Sequence, residues 1–280
     1  MNSPLDFVLL KRGEYSVWIH RGLEKTGIVD RIANPDRLFK ENGCLVLKNE
    51  KKIKVGRIPI DVSGQRRLLY VKRYNAFSAR AKLTSMFNHS GAVRSLQGAA
   101  ILKRAGISTA TPVAAMESRR CGMVMKSFYI SEEIVDGMTS DRYWQSVAKD
   151  SQRFFRRRRF LESLAALFKM LHDRGIYHND LKDANILVVP EKEKMSFYLL
   201  DLEGVRLYAN LNHRRRIKNL VQLNRTLGRI TRRADKLYFL KLYLGQVFRN
   251  RLKKRRWVTE VVEQSRRRDL KTQDLARKPL

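Results

Sequence analysis

His178-Asn179-Asp180-Leu181-Lys182-Asp183-Ala184-Asn185-Ile186-Leu187-Val188 is the stretch on which the reading of this chain turns. It places an aspartate two residues after a histidine, a lysine two further on, and an asparagine five after the aspartate. Apolar residues bound it: Ile176-Tyr177 precede it and Ile186–Val189 form a short run of strand type. Sixteen residues after Asn185, a second apolar run, Phe197–Leu200, ends in Asp201, with Glu203-Gly204 just beyond. Far upstream, Leu69-Tyr70-Val71-Lys72-Arg73-Tyr74 is an apolar strand carrying one inner lysine.

Taken singly, each of these residues has an ordinary structural reading. A loop aspartate is usually a turn former or helix cap, and a strand lysine usually points to solvent. Taken together, in the order strand, loop, strand, they suit phosphoryl transfer. That chemistry depends on positioning and charge neutralisation more than on covalent steps. Asp180 can orient an acceptor hydroxyl and take its proton. Asn185 and Asp201 supply hard oxygens of the kind Mg²⁺ accepts beside nucleotide phosphates. Lys182 can reach the phosphate being transferred, and Lys72 can neutralise the α- and β-phosphates of ATP. His178 reads as a packing and hydrogen-bonding residue.

Outward from this stretch, the first forty residues are mixed, with turn-type residues at Asn34-Pro35-Asp36 and Asn42-Gly43. Strand-like runs follow at Cys44–Leu47, Ile53–Ile60 and Leu68–Tyr74, separated by Asn49-Glu50-Lys51 and Ser63-Gly64-Gln65, and predict an antiparallel meander. A helix is predicted from Gly91 to Arg104, stopping at Gly106, then apolar runs near Val113–Met116 and Met123–Ile130. From Gln152 to Arg174, Phe155, Phe160, Leu164, Leu167, Phe168 and Leu171 recur at helical spacing, and Arg174-Gly175 is a basic-then-glycine stop. A turn is expected at Pro190–Lys194. From His213 onward the chain reads as helices dense in Arg and Lys, with Leu237, Leu240, Leu244 and Phe248 turned to the core and residues 266–280 frayed. The expected fold class is α+β, divided into residues 1–126, a small antiparallel sheet with one helix, and residues 127–280, largely helical.

Composition narrows the partners. The 280 residues hold 59 Lys and Arg against 27 Asp and Glu, a formal charge of +32. A hydrophobic fraction of 43% is too high for a disordered chain, and two cysteines, Cys44 and Cys121, are too few for a disulfide scaffold. No apolar run approaches a membrane span and the N-terminus lacks a secretory pattern, so a cytoplasmic chain with free thiols is expected. Such charge draws polyanions: nucleic acid, anionic lipid or phosphorylated glycolipid. It concentrates at Arg156–Arg159, Arg214–Arg216, Arg232-Arg233 and from Arg249 through Arg256. Any one of these runs is ordinarily a solvated face. No zinc-finger spacing, RNP-type aromatic motif or helix-turn-helix pattern supports nucleic acid, and none is expected as a partner.

At His178–Val188 with Asp201 the sequence resembles the protein-kinase-like superfamily. At Tyr70-Val71-Lys72-Arg73-Tyr74, Ala105 to Pro112, Asn219 to Asn224 and Arg233 to Leu240 it more closely resembles the lipopolysaccharide core sugar kinases, the Kdo/heptose kinase family. The resemblance implies a two-lobe kinase-like fold, with Asp180 and Lys182 catalytic, Lys72 on the nucleotide, and Asn185 and Asp201 on Mg²⁺. It implies ATP-dependent phosphorylation of a Kdo or heptose hydroxyl of the inner core, by a protein peripheral on the cytoplasmic, anionic face of the inner membrane. Alternatives are a protein or other small-molecule kinase, or a pseudokinase scaffold for nucleotide or anionic lipid. The sequence also departs from the superfamily. No G-x-G-x-x-G occurs, and between Val62 and Met116 there is no Asp or Glu to serve as the helix acid that pairs with the strand lysine, Gln97 being the nearest polar stand-in. The metal motif reads Asp-Leu-Glu-Gly, leaving Glu203 as either a second carboxylate near Mg²⁺ or a solvent-facing one. Basic helical sequence resumes at His213 with no Ala-Pro-Glu, leaving no room for a long peptide-docking segment and favouring a small-molecule or glycolipid acceptor.

Overall fold

A computed structural model describes residues 6–62, 65–75, 83–150, 152–191 and 195–277. The expected turns at Ser63-Gly64-Gln65 and Pro190–Lys194 fall largely outside them. The chain divides into two compact units: Met1–Lys103 with Ala110–Val135, and Arg104–Thr109 with Asp136–Leu280. The boundary expected between residues 126 and 127 lies within a strand that runs on to Glu132.

The first unit is built on an antiparallel sheet in the order β1-β2-β6-β7-β5-β4-β3. Its strands are β1 (Phe7–Arg12), β2 (Tyr15–His20), β3 (Leu45–Asn49), β4 (Ile53–Val62), β5 (Gln65–Asn75), β6 (Pro112–Arg120) and β7 (Met123–Glu132). The three predicted runs form the β3-β4-β5 meander. The β1–β2 hairpin lies in the stretch that reads as mixed, although Gly13 turns it at φ +54° and Tyr15, Val17 and Ile19 alternate inward as a half-buried strand must. Cys121 and Gly122, both at positive φ, make the β6–β7 turn.

The sheet is covered on both faces, in keeping with the apolar runs Val113–Met116 of β6 and Phe128–Ile130 of β7. On one face Ala114, Met116, Phe128, Ile130, Leu69 and Val71 meet Ile28, Val29 and Ile32 of α1 (Ile28–Ile32). On the other, Ala115, Tyr129 and Tyr74 meet Ala92 and Leu96 of α2 (Gly91–Arg104). The period of two in β5 therefore sends Leu69 and Val71 to the α1 face and Lys72 and Tyr74 to the α2 face.

The second unit holds α3 (Ser140–Ser146), α4 (Arg153–Asp173), α5 (His213–Arg225), α6 (Leu227–Ile230), α7 (Arg233–Leu244) and α8 (Arg251–Arg277). Two small ladders accompany them: β11 (Met195–Leu199), β10 (Ile186–Pro190) and β8 (Met138–Thr139), and β12 (Val205–Leu207) with β9 (Ile176–His178). Phe160, Leu164, Leu167, Phe168 and Leu171 of α4 are buried as predicted, but Phe155 is not; the stripe starts one turn later. The helix ends where Gly175 takes φ +72°, and a Cβ there would lie 2.0 Å from the Tyr208 carbonyl oxygen, so only glycine fits. On α7, Phe239, Leu240 and Tyr243 are buried, whereas Leu237 is 46% exposed and Leu244 only half-buried, as is Phe248 in the 3₁₀ turn Gly245–Arg249 that follows.

The expectation of a frayed C-terminus is overturned through residue 277. α8 is continuous to Arg277: Ser265 is buried and accepts from Asn224 at 2.9 Å, and Asp269 binds Arg225 at 2.8 Å and Arg229 at 2.9 Å. The charged composition resembles a solvated tail, but Asp269 is the partner of Arg225 on α5 and Arg229 on α6. Among the described residues no helix is long and apolar enough to cross a membrane, and Cys44 and Cys121 are both free.

Candidate active site

The loop between β9 and β10 is held by its own backbone and by α5. Asn185 N–H donates to Lys182 O at 2.9 Å, closing the short 3₁₀ turn Asp183–Asn185. The Asp183 carboxylate accepts the Ala184 N–H at 2.8 Å, and its burial raises its pKa. Within this loop Asp180, Lys182 and Asn185 converge. Lys182 Nζ sits 2.7 Å from Asp180 Oδ2, and Asn185 Nδ2 donates to the same oxygen at 3.0 Å and to Asp180 O at 2.8 Å. Two donors on Oδ2 fix the carboxylate and leave Oδ1 as the oxygen that can accept a further proton donor.

His178 keeps the loop beside the strand that carries Asp201. It is 1% exposed; its Nε2 lies 2.8 Å from Leu200 O, and its Nδ1 accepts the Asp180 N–H at 3.2 Å. One neutral tautomer, with the proton on Nε2, satisfies both contacts, and burial lowers the ring's pKa, favouring that neutral form. This matches the packing role read from sequence.

Asn185 and Asp201 meet at the end of the β10–β11 ladder. Ile186 pairs with Leu199, and Leu200 N–H donates to Asn185 O at 2.9 Å, so the next residue, Asp201, starts where Asn185 ends. Asp201 is in the left-handed region, φ 57° and ψ 56°, a conformation costing a non-glycine residue about 1 kcal/mol. With Asn185 Nδ2 committed to Asp180, its Oδ1 is the free end of the amide. No group of three or more His, Cys, Asp or Glu that could hold a metal occurs among the described residues. Asn185 Oδ1 and the Asp201 carboxylate are hard oxygen donors, which fits Mg²⁺ when phosphates and water supply further ligands. Glu203 follows in the turn Leu202–Gly204, half-buried; Gly204 packs so closely that a Cβ there would lie 2.7 Å from Asn179 Cβ.

The residues missed by sequence reasoning lie on α5 and at its C-terminal end. Asn219 Nδ2 donates to His178 O at 2.6 Å. Gln222 Nε2 donates to Asn179 O, and its Oε1 accepts Leu181 N–H at 3.1 Å and Asn219 Nδ2 at 2.9 Å. Thr226 Oγ1 accepts Asp183 N–H at 3.4 Å. Spaced by three and four, these three share one helix face and hold the loop backbone at His178, Asn179, Leu181 and Asp183. Behind them, fully buried His172 bonds Asn219 Oδ1 at 3.2 Å and Tyr243 OH at 2.8 Å, and burial depresses its pKa to about 4. The available signal is three polar side chains at helical spacing on the otherwise apolar inner face of α5, beside Ile217, Leu220 and Leu223.

Lys72 belongs to the first unit. Its Nζ lies 4.8 Å from the centre of the Tyr74 ring, and Tyr74 OH is 2.9 Å from Ser95 Oγ on α2. The stand-in suggested by sequence, Gln97, is exposed; Ser95 of α2 makes a hydrogen bond to β5, through Tyr74, and no search for an acid would find it.

The chain has the fold of a solved structure described as WaaP in complex with acyl carrier protein. The TM-score is 0.60 at 21% identity, covering 79% of this chain and 87% of that one, a likeness that shows the α+β kinase-like fold alone. A comparison with curated proteins finds no match. The sequence model of the lipopolysaccharide kinase (Kdo/WaaP) family matches residues 47–243, well over half the chain, from β3 through Tyr243 and including the whole stretch around Asp180. The chain therefore belongs to the lipopolysaccharide kinase (Kdo/WaaP) family, a family of ATP-using phosphotransferases.

Proposed function

We propose that this protein transfers the γ-phosphate of ATP to a Kdo or heptose hydroxyl of the lipopolysaccharide inner core, using Asp180, Lys182, Asn185, Asp201 and Lys72. The observation that carries the reading is the convergence of Lys182 and Asn185 on one oxygen of Asp180. The hydroxyl donates to Asp180 Oδ1 and gives up its proton there as its oxygen bonds to phosphorus. The bond from phosphorus to the bridging oxygen of ADP breaks, and ADP leaves. Lys182, already beside Asp180, offsets charge on the transferring phosphoryl group. Asn185 and Asp201 would hold Mg²⁺, which would supply positive charge beside the nucleotide phosphates. Lys72 neutralises the α- and β-phosphates.

The acceptor is anionic, and the cationic second unit suits both it and an anionic leaflet. We place the protein in the cytoplasm, peripheral on the inner membrane. A protein acceptor is disfavoured by the short path from Asp201 to α5. Only eleven residues intervene, and they are taken up by the Leu202–Gly204 turn, β12 and the Asn212 cap, whose Oδ1 accepts Arg215 N–H at 3.0 Å. The test is the mass of the core oligosaccharide from cells with and without this protein. Loss of one phosphate on a core sugar is expected; an unchanged mass would overturn the proposed substrate.

A further inference from the structure

The first turns of α4 read Arg153-Phe154-Phe155-Arg156-Arg157-Arg158-Arg159. Two adjacent phenylalanines, 66% and 72% exposed, pack on each other edge to face at 5.6 Å instead of on the core. Large aromatic side chains left this open are costly in water unless something covers them. The surroundings identify that cover. Five arginines and no acid lie between Gln152 and Phe160; Arg156 pairs with Asp150 at 3.1 Å and Arg158 with Glu162 at 3.2 Å, so the arginines still outnumber the acids beside them. Arg157 stacks over Trp144 at 4.8 Å, and Trp144 Nε1 donates to Ile230 O at 3.3 Å. That link ties this end of α4 to α6, where Ile230 is also exposed; Arg229 of α6 is paired with Asp269, and the exposed Arg232 and Arg233 open α7. One surface of the second unit thus offers a protruding apolar pair within a broad cationic field.

We propose that Phe154 and Phe155 are the membrane-inserting anchor of this protein, seated in an anionic bilayer with the α4 and α6–α7 arginines on its head groups. Aromatic rings favour the head-group boundary, where an apolar body finds acyl chain and the backbone stays wet. Arginines near such a surface are drawn to its anionic head groups. A lone polyanion such as nucleic acid satisfies the arginines but does not require two adjacent apolar rings at the surface. The inference deepens the peripheral membrane reading given above and rests on it.

The test uses the full chain and vesicles of phosphatidylethanolamine with phosphatidylglycerol, against vesicles of phosphatidylcholine alone, at about 0.15 M salt. The wild type is expected to sediment with the anionic vesicles and not with the neutral ones. Phe154→Ser with Phe155→Ser, at exposed positions, is expected to keep its melting temperature and lose about tenfold or more of that partitioning. Phe155→Trp retains binding and is expected to show a blue-shifted emission, quenched by bromine-labelled acyl chains. Equal binding of wild type and the double serine variant, binding to neutral vesicles alike, or a tryptophan that stays unquenched while bound would each overturn the anchor. So would loss of binding to an acidic carrier protein or to RNA in the double variant with vesicle binding intact. Phosphate transfer to detergent-dispersed acceptor is read alongside: retained transfer with failed insertion refutes the anchor and leaves the kinase reading standing, and absent transfer in the wild type refutes the kinase reading by itself.

Discussion

The clamp on the catalytic loop is best probed at Gln222, by Gln222→Met. Methionine keeps the length and apolar stem of the side chain and removes every hydrogen bond. Three partners are stranded: Asn179 O, Leu181 N–H and Asn219 Nδ2. Asn179 is exposed and its carbonyl rehydrates, whereas Leu181 and Asn219 are fully buried. Each of those two stranded donors costs about 1–3 kcal/mol, or about 2–6 kcal/mol together, with Asn219 keeping its bond to His178 O and so falling at the low end. The loss falls first on the order of the loop, because α5 is anchored independently by Ile217, Leu220 and Leu223. A loop freed by that amount misplaces Asp180, and kcat is expected to fall about 10- to 100-fold with little change in KM for ATP. Steady-state kinetics with a lipopolysaccharide acceptor, beside thermal melting, reads both effects. Gln246→Met, the same exchange at an exposed position outside the clamp, is the control and should alter neither. Wild-type kcat and melting temperature in Gln222→Met would refute the idea that α5 positions the loop.

Other outcomes follow from the same geometry. Buried His172 has its pKa lowered from 6.5 to about 4, so as pH falls between those values the unfolded chain takes a proton the folded chain refuses. Stability present above pH 6.5 should be lost by up to about 3 kcal/mol on the way to pH 4, and His172→Gln should flatten that slope in melting curves. Gly175→Ala meets the Tyr208 carbonyl oxygen and a left-handed φ that alone costs about 1–2 kcal/mol; soluble yield and melting temperature should both drop sharply. Ending the chain after Gln264 removes the buried Ser265 contact and the Asp269 bridges to Arg225 and Arg229. The melting temperature should then fall by several degrees, at about 2–4 °C per kcal/mol, where a frayed tail would leave it unchanged.

What is legible in this sequence is what is written locally. The loop from His178 to Asn185 has fixed spacing, and the Cys44-to-Tyr74 meander alternates apolar residues between turn formers, so both can be read from the residues alone. Periodicity shows which face of a helix is apolar but not how far a neighbour reaches. Hence Phe155 and Leu237, in phase with their stripes, point to a core that stops short of them. The Asn219–Gln222 clamp joins residues about forty positions apart, and polar residues on a helix give no local sign of which backbone they serve. Ser95 carries no mark of its role, because an acid is the expected helix residue and the contact Ser95 makes is a hydroxyl pair with Tyr74. The residues on either side of Asp269 look like a solvated charge run until Arg225 and Arg229 are seen opposite it.

The most direct measurement of the central claim is transfer of labelled γ-phosphate from ATP to Kdo–lipid A or heptose-extended acceptors, wild type against Asp180→Asn. The substitution keeps the shape that Lys182 and Asn185 hold and removes the proton acceptor. Labelled acceptor is predicted with the wild type, and a loss of at least about 10²-fold in the variant, the range general-base groups contribute. Equal transfer by both proteins would contradict the role of Asp180, and no transfer to any core acceptor by a folded, ATP-binding wild type would contradict the proposed function.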